Sequence, residues 1–364
     1  MKNKIYLFIY LSYLLAGTLY AIFNPFYDWD MIPYCAVVLS LEQTDEQLLH
    51  QMTYESIKQS IPDQAYAILQ STAYRKEMEQ NYVYFNQQLP FYKIRPLYTG
   101  LAYLVHKAGI NIVTAIVIIS ALSSLLMSII ILRWLLDYLD TFYAYLFSFL
   151  IIHSTGVIQI ARVFTPDALS AAILILSLYL LKNKHLYFAG LLLVLAIFAR
   201  TDNIIFVFLA LTYLRFFSEY KLNWTSTIFF IMLSAFSYLS INANNYDWAT
   251  IFHHTLINLI NNPADYHPTV TWADYLRVLK PNCFEAFLFV NSFLIFLLCA
   301  FITISLKGDN KIYSHLSILM ILSVIIHFLL FPAPFWQRFF IAHYSIISIA
   351  MIVTVFKKSE VRSH

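Results

Sequence analysis

About ten apolar runs recur along this 364-residue chain, and their lengths limit the fold before any single side chain is considered. They lie at Ile5 to Phe23, Ile112 to Leu132, Phe142 to Ile160, Ala168 to Leu181, Leu186 to Phe198, Ile204 to Phe217, Trp224 to Ile241, Phe284 to Leu306, Tyr313 to Phe331 and Phe339 to Phe356. A helix perpendicular to the bilayer needs roughly 20 apolar residues, and most of these runs approach that length. Hydrocarbon offers no partner to a free peptide group, so such runs cross as helices, which predicts an all-α integral membrane protein. The composition agrees: 60% of residues are hydrophobic, 12% are charged, and the mean hydropathy is +0.67. The fourth to sixth runs are shorter and are expected to be tilted or buried behind neighbours.

The first run follows Lys2 and Lys4 as in a signal peptide, but the bulky Asn24-Pro25-Phe26-Tyr27 offers no cleavage site, so a retained anchor is expected. With the N-terminus inside, Arg133, Lys182 with Lys184, Arg215 with Lys221, Lys307 with Lys311 and the Lys357-Lys358 tail all fall in the cytoplasm. This is the distribution that orients short loops, and it places both termini inside. Merging the fifth and sixth runs would put the lysine tail outside, against that rule. A net charge of +3 without a basic patch argues against a nucleic-acid partner. Among Cys35, Cys283 and Cys299, one disulfide between the first two is conceivable, but no motif supports it.

The outer segment from Asn24 to about Ile110 is too long for a plain connection and is expected to be structured. Pro33 suits the first turn of a helix through Cys35 to Leu39. Thr44 with Gln47 resembles a capping box opening a second helix, and Pro62 begins a third extending towards Tyr84. These pieces are read as amphipathic and lying on the membrane surface. Arg95-Pro96-Leu97-Tyr98 starts another interfacial helix ending near Lys107. A second outer loop runs from about Asn242 to Cys283. Without repeats or linkers, residues 1–364 are read as a single membrane domain.

Chemistry is expected on the outer side. Asp28 and Asp30, in Tyr27-Asp28-Trp29-Asp30, sit where the first run leaves the bilayer, a costly place for two carboxylates. Arg95, Arg162 with Asp167, Arg200 with Asp202, His253-His254 and Arg338 fall on the same face, whereas the middles of the runs carry few ionisable groups beyond His153 and His327. An ion-coupled transporter is expected to hold charges near the midplane, so the asymmetry favours a reaction site at the outer interface. There a lipid-linked sugar keeps its tail in the bilayer and its phosphate at headgroup level. Transfer of that sugar needs a carboxylate to take the acceptor proton and a cation to hold the phosphate leaving group.

Asp28 or Asp30 is the candidate general base. In an extended segment their side chains diverge, and one of them could instead cap the helix near Pro33 while the other is a solvated acid. Arg338, in Pro332-Ala333-Pro334-Phe335-Trp336-Gln337-Arg338, is the candidate phosphate ligand or else an interfacial anchor beside Trp336. Arg162 and Asp167 could bind donor phosphate and sugar hydroxyls, or form a helix cap in which the arginine pairs with the acid. Arg200 with Asp202 could bind substrate or turn a helical hairpin. Arg95 positions its interfacial helix or acts electrostatically. His254 is a substrate-contact or structural candidate, since adjacent histidines diverge and no carboxylate stands at metal-ligand spacing. No phosphate-cradling glycine loop, Ser/His/Asp motif or cysteine cluster is present among these residues, and six glycines are few for a nucleotide-binding fold.

The order and placement of these groups resemble the GT-C superfamily of integral membrane glycosyltransferases, which includes protein O-mannosyltransferases and the aminoarabinose transferase of lipid A. The likeness rests on Asp28-Trp29-Asp30 after the first run, Arg95-Pro96-Leu97-Tyr98 before the second, and Arg162 to Asp167 before the fourth. It implies a GT-C-like bundle of about ten membrane helices with juxtamembrane helices in a large first outer loop, and a polyprenyl-phosphate sugar as donor. Asp28 or Asp30 takes the base role, Arg338 resembles a late basic residue near the donor phosphate, and Arg95, Tyr98, Arg162, Asp167, Arg200 and His254 are expected around the substrate. A divalent metal stays open, because arginine alone can serve a monophosphate leaving group. Because the tenth run stands close to residue 364, a C-terminal outer domain of the kind with which some relatives bind acceptors is not expected. Acceptor recognition is therefore expected in Glu42 to Asn86 and Asn242 to Cys283, with a glycan or lipid acceptor more natural than a protein. The implied setting is the outer face of a bacterial cytoplasmic membrane. A polysaccharide polymerase or ligase, a lipid-linked-sugar transporter, and a non-catalytic envelope assembly subunit are the alternatives, and a hydrophilic cavity running through the bilayer favours transport.

Overall fold

A computed structural model describes residues 2–218, 221–288, 291–306, 311–333 and 337–356, with the side chains of 2, 286–288, 291–293 and 311 left aside. Phe335 and Trp336, the Lys307 end of one connection and the Lys357-Lys358 tail lie outside the described residues. Every regular element among those described is helical. Five stretches are long and apolar enough to cross a membrane: Asn3–Phe23, Ile112–Leu136, Trp224–Asn242, Ile312–Leu330 and Gln337–Phe356.

The first of these, α1 (Lys2–Phe23), leaves much of its surface open, Phe8 and Phe23 each being about three-quarters exposed. Exposed apolar surface on such a scale suits a helix facing lipid. The chain then enters α2 (Met31–Leu39), whose nine residues are all buried. The expectation of a surface-lying amphipathic helix fails here because Met-Ile-Pro-Tyr-Cys-Ala-Val-Val-Leu is apolar on every side, and a helix of that kind belongs in a core. Against it pack α3 (Glu46–Ser60), α7 (Pro90–Lys93) and α8 (Pro96–Lys107), with α4 (Asp63–Leu69) and α6 (Tyr82–Gln88) on α3 and α5 (Ala73–Gln80) on α6.

Their boundaries follow local capping. Asp45, one residue after the expected Thr44, caps α3 by accepting from Leu48 N–H at 2.8 Å. The helix expected from Pro62 to Tyr84 is three helices, because Thr72 and Asn81 accept from the amides of Arg75, Val83 and Tyr84 and so restart the chain. This outer segment shares an apolar core with the first half of α9 (Ile112–Leu136), built on Met31, Ile57, Met78, Phe85, Tyr98 and Ile116.

Helix α9 is the central post, touching α1, α8, α10 (Thr141–Ser154), α11 (Val157–Ile160) and α12 (Asp167–Lys182). Ala168, Ala171 and Ala172, buried on α12, are small enough to let its backbone approach its neighbours closely, while Ser124 and Ser128 of α9 line a small cavity beside α1. The third apolar run is broken between α10 and α11 by Gly156, whose φ of 88° is strained for any residue with a Cβ. Hairpins follow through α13 (Leu186–Ala199), α14 (Asn203–Phe216) and α15 (Trp224–Asn242). Gly190 on α13 meets the Phe230 ring of α15 so closely that an added Cβ would lie 2.6 Å from it.

The stretch 243–283 carries α16 (Trp248–Leu256) and the start of α17 (Trp272–Leu288). The eighth apolar run is therefore divided between α17 and α18 (Asn291–Ser305). The bundle closes with α19 (Lys311–Leu330) and α20 (Ile341–Phe356). The two outer segments interlock. Gln88 donates to the carbonyls of Ile260 and Asn261, and Tyr246 donates to that of Gln87 at 2.9 Å. All three cysteines are free thiols, Cys35 being sealed in α2, so no disulfide forms.

Candidate functional site: an arginine and carboxylate network lining a cavity

Where the chain leaves α1, Arg162 secures it: its Nε donates to the Asn24 carbonyl at 2.7 Å, its own carbonyl accepts from Phe26 N–H, and its guanidinium lies 5.1 Å from the Tyr20 ring centre. Arg162 thus points away from Asp167 rather than pairing with it. The next residues turn instead of extending, with Asp30 in the helical region at φ −57° and Met31 N–H bonded back to the Asp28 carbonyl. This turn brings both carboxylates to one side. Asp30 occupies the N-cap position of α2, yet its side chain makes no capping bond.

Both acids meet Arg338, which stands in a short 3-10 turn (Gln337–Phe340) before α20. Its Nη2 lies 2.8 Å from Asp30 Oδ2, its Nη1 3.7 Å from Asp28 Oδ2, and its Nε 3.2 Å from Asp167 Oδ2. Asp167, at the start of α12, is almost fully buried and also contacts Arg200 through its other oxygen. Arg200 in turn forks onto Asp202, Nε to Oδ1 at 3.0 Å and Nη2 to Oδ2 at 2.6 Å, with the Phe339 ring centre 3.7 Å from the guanidinium. His327 of α19 adds its Nδ1 at 3.5 Å from Asp202 Oδ2. Four carboxylates from three stretches of chain are thus strung along two arginines.

The charge balance has consequences. Burial, aided by Asp30, pushes the Asp28 carboxyl up to about 7, and its Oδ1 is buried without a partner. Burial would also raise Asp202, but Arg200 and His327 outweigh it and hold that carboxyl below its ordinary value. Tyr92 donates to Asp30 Oδ1 at 3.2 Å; its burial, with Asp30 beside it, holds the phenol well above its ordinary value and keeps it the donor.

The network forms one end of a cavity of about 570 Å³. Asp30, Asp167, Arg200, Asp202, His327 and Arg338 line that end, while Trp29, Tyr74, Phe91, Trp248 and His254 supply an aromatic wall. Asp28 does not reach the cavity wall. The His254 Nδ1 accepts from Ile260 N–H at 3.0 Å, the ring stacks on Phe91 at 4.8 Å, and burial lowers it to about 4, so it is neutral near pH 7.

Two further arginines line the cavity. Arg95 donates to the Phe91 carbonyl and leaves its Nε buried without a partner, and Arg75 lies 5.6 Å from the Trp29 ring centre. Among the described residues, neither has a carboxylate within ion-pair distance. An incoming anion therefore meets arginines in contact with carboxylates at Arg338 and Arg200, and arginines in contact with none at Arg95 and Arg75. Tyr98 sits beneath the cavity, its hydroxyl 3.1 Å from Ser120 Oγ and its ring edge-on to cavity-lining Tyr34 at 5.4 Å.

Of the residues singled out in the sequence, Asp30, Asp167, Arg95, Arg200, His254 and Arg338 line this cavity, and Asp28, Arg162 and Tyr98 do not. Arg75, Tyr74 and Tyr92 carried no distinguishing signal. His327 did carry one, as an ionisable residue inside an apolar run. Among the described residues, no group of three or more His, Cys, Asp or Glu side chains is placed to hold a metal ion. No protein-family model, curated protein or solved structure matches this chain.

Proposed function

We propose that this chain is a GT-C-type membrane glycosyltransferase that moves a sugar from a polyprenyl-phosphate-linked donor to a glycan or lipid acceptor at the outer face of a bacterial cytoplasmic membrane. The observation that carries the proposal is the cavity: Arg95 and Arg75, neither in contact with a carboxylate, share its wall with a carboxylate and arginine network. A donor phosphate is received by these two arginines, whose N–H groups not given to backbone carbonyls bind its oxygens and stabilise it as a leaving group. Arg338 and Arg200 act differently from the expectation for Arg338. Each is saturated by carboxylates, so both hold the acids in place.

The topology in this reading is a bundle of about ten crossings with both termini cytoplasmic, on the strength of the alternating positive loops. The cavity walls come from the start of α12, the turn between α13 and α14, and the end of α19, which meet at one end of the bundle. None comes from the opposite end, where Lys182 pairs with Asp137. A cavity lined by residues from one end of the bundle supports enzyme over transporter.

The test is reconstitution of the full chain in vesicles with a panel of polyprenyl-phosphate sugars carrying a labelled sugar. Transfer from one donor, lost in Arg95→Ala, is the expected result. Absence of transfer from every donor, with labelled lipid moving across the bilayer, overturns it.

A further inference from the structure

Glycosyl transfer to a hydroxyl needs a lone pair facing the cavity to receive the proton, and each oxygen of the cavity-lining acids already accepts from an arginine, a tyrosine or a threonine. Asp30 uses Oδ2 for Arg338 and Oδ1 for Tyr92. Asp167 gives one oxygen to Arg200 and the other to Thr165 and Arg338, while both oxygens of Asp202 receive Arg200. Asp28 keeps a free oxygen, but it is sealed from solvent and the residue stands outside the cavity wall. His254 spends its Nδ1 lone pair on Ile260 N–H, which leaves its other nitrogen a donor.

His327 is the exception. It lines the cavity, its Nδ1 faces Asp202 at 3.5 Å, and its Nε2 has no partner among the described residues and is not sealed off. The Asp202 carboxylate beside Nδ1 favours the tautomer with the ring proton there and the lone pair on Nε2. The Phe340 ring, edge-on at 5.1 Å, fixes the imidazole plane. A nitrogen base oriented from behind by a carboxylate is a recurring arrangement for general-base catalysis.

Resting on the glycosyl-transfer reading, we propose that His327 is the catalytic base and Asp202 its positioning residue. The acceptor O–H proton passes to Nε2 as the acceptor oxygen bonds the anomeric carbon. The bond from that carbon to the donor phosphate oxygen breaks, its electron pair staying on the phosphate. The imidazolium, stabilised by Asp202, then releases its proton to water.

The experiment compares the wild type, His327→Gln and His327→Ala as full chains in vesicles with the donor panel. His327→Gln lowers kcat on the order of 10²- to 10⁴-fold with donor KM unchanged. Added imidazole restores transfer to His327→Ala, whose side-chain space can admit it, and leaves His327→Gln unchanged. Wild-type kcat in His327→Gln, or a loss in both variants that imidazole does not restore, overturns the role of His327 alone. A wild type inactive with every donor overturns the glycosyl-transfer reading itself.

Discussion

Arg338 Nη2 and Asp30 Oδ2 meet at 2.8 Å although 308 residues separate them in the chain. The contact ties the exit of the first apolar helix to the entrance of the last, and Asp167 joins it from the middle of the chain. Removing the arginine leaves three carboxylates facing one another, a cost on the order of 3 kcal/mol for a largely buried group. Arg338→Met is expected to lower the melting temperature in detergent, and adding Asp30→Asn to recover part of the loss. Additive effects in that double-mutant cycle would rule out the coupling.

The Asp28 carboxyl, pushed up from 3.8 to about 7, makes stability depend on pH in a definite direction. Between those values the folded chain binds a proton that the unfolded chain has lost, so stability falls as pH rises through this window and levels off above it. Melting curves from pH 4 to 8 should show this decline in the wild type, with a smaller decline in Asp28→Asn. Equal slopes would show that Asp28 ionises normally.

Arg95 is the cavity arginine with a buried, unpartnered Nε. Arg95→Ala is expected to reduce kcat/KM for a lipid-linked donor on the order of 10²-fold, the scale of one strong donor to a developing charge. Arg162→Ala, outside the cavity, is expected to keep the donor KM. Steady-state kinetics with a fixed acceptor distinguishes the two.

At Gly190 a new Cβ would lie 2.6 to 2.9 Å from the Phe230 ring, which is itself buried. Gly190→Ala should therefore destabilise by about 1–3 kcal/mol through overpacking of α13 against α15. Combining it with Phe230→Leu should restore part of the melting temperature. No change in melting for Gly190→Ala would refute this contact.

Helix positions were legible in the sequence where a single apolar period dominates: α9, α12, α13, α14 and α15 lie within a few residues of the runs that announce them. Breaks were harder to read. Gly156 splits one run because its φ is positive, a backbone property that hydropathy does not register. The burial of α2 was written in its uniformly apolar sequence, but a neighbouring proline and two acids made it look interfacial. In the site, individual charges were visible and their pairing was not. Asp167 chooses Arg200 and Arg338 over nearby Arg162 because distant helices meet there, and Arg162 is taken by the Asn24 carbonyl.

The carbonyls at the end of α19 are not left to solvent: Trp248, Tyr275 and Asn282 donate to those of Leu330, Leu329 and Pro332. A helix terminus satisfied by a separate outer loop cannot settle until that loop is in place. During synthesis the order is therefore imposed. The acids near the beginning emerge first, the loop that anchors α19 follows, and Arg338 arrives last to neutralise charges exposed since Asp28 was made. A chain stopped before that arginine leaves Asp28 and Asp30 without the one cation they meet in the finished fold.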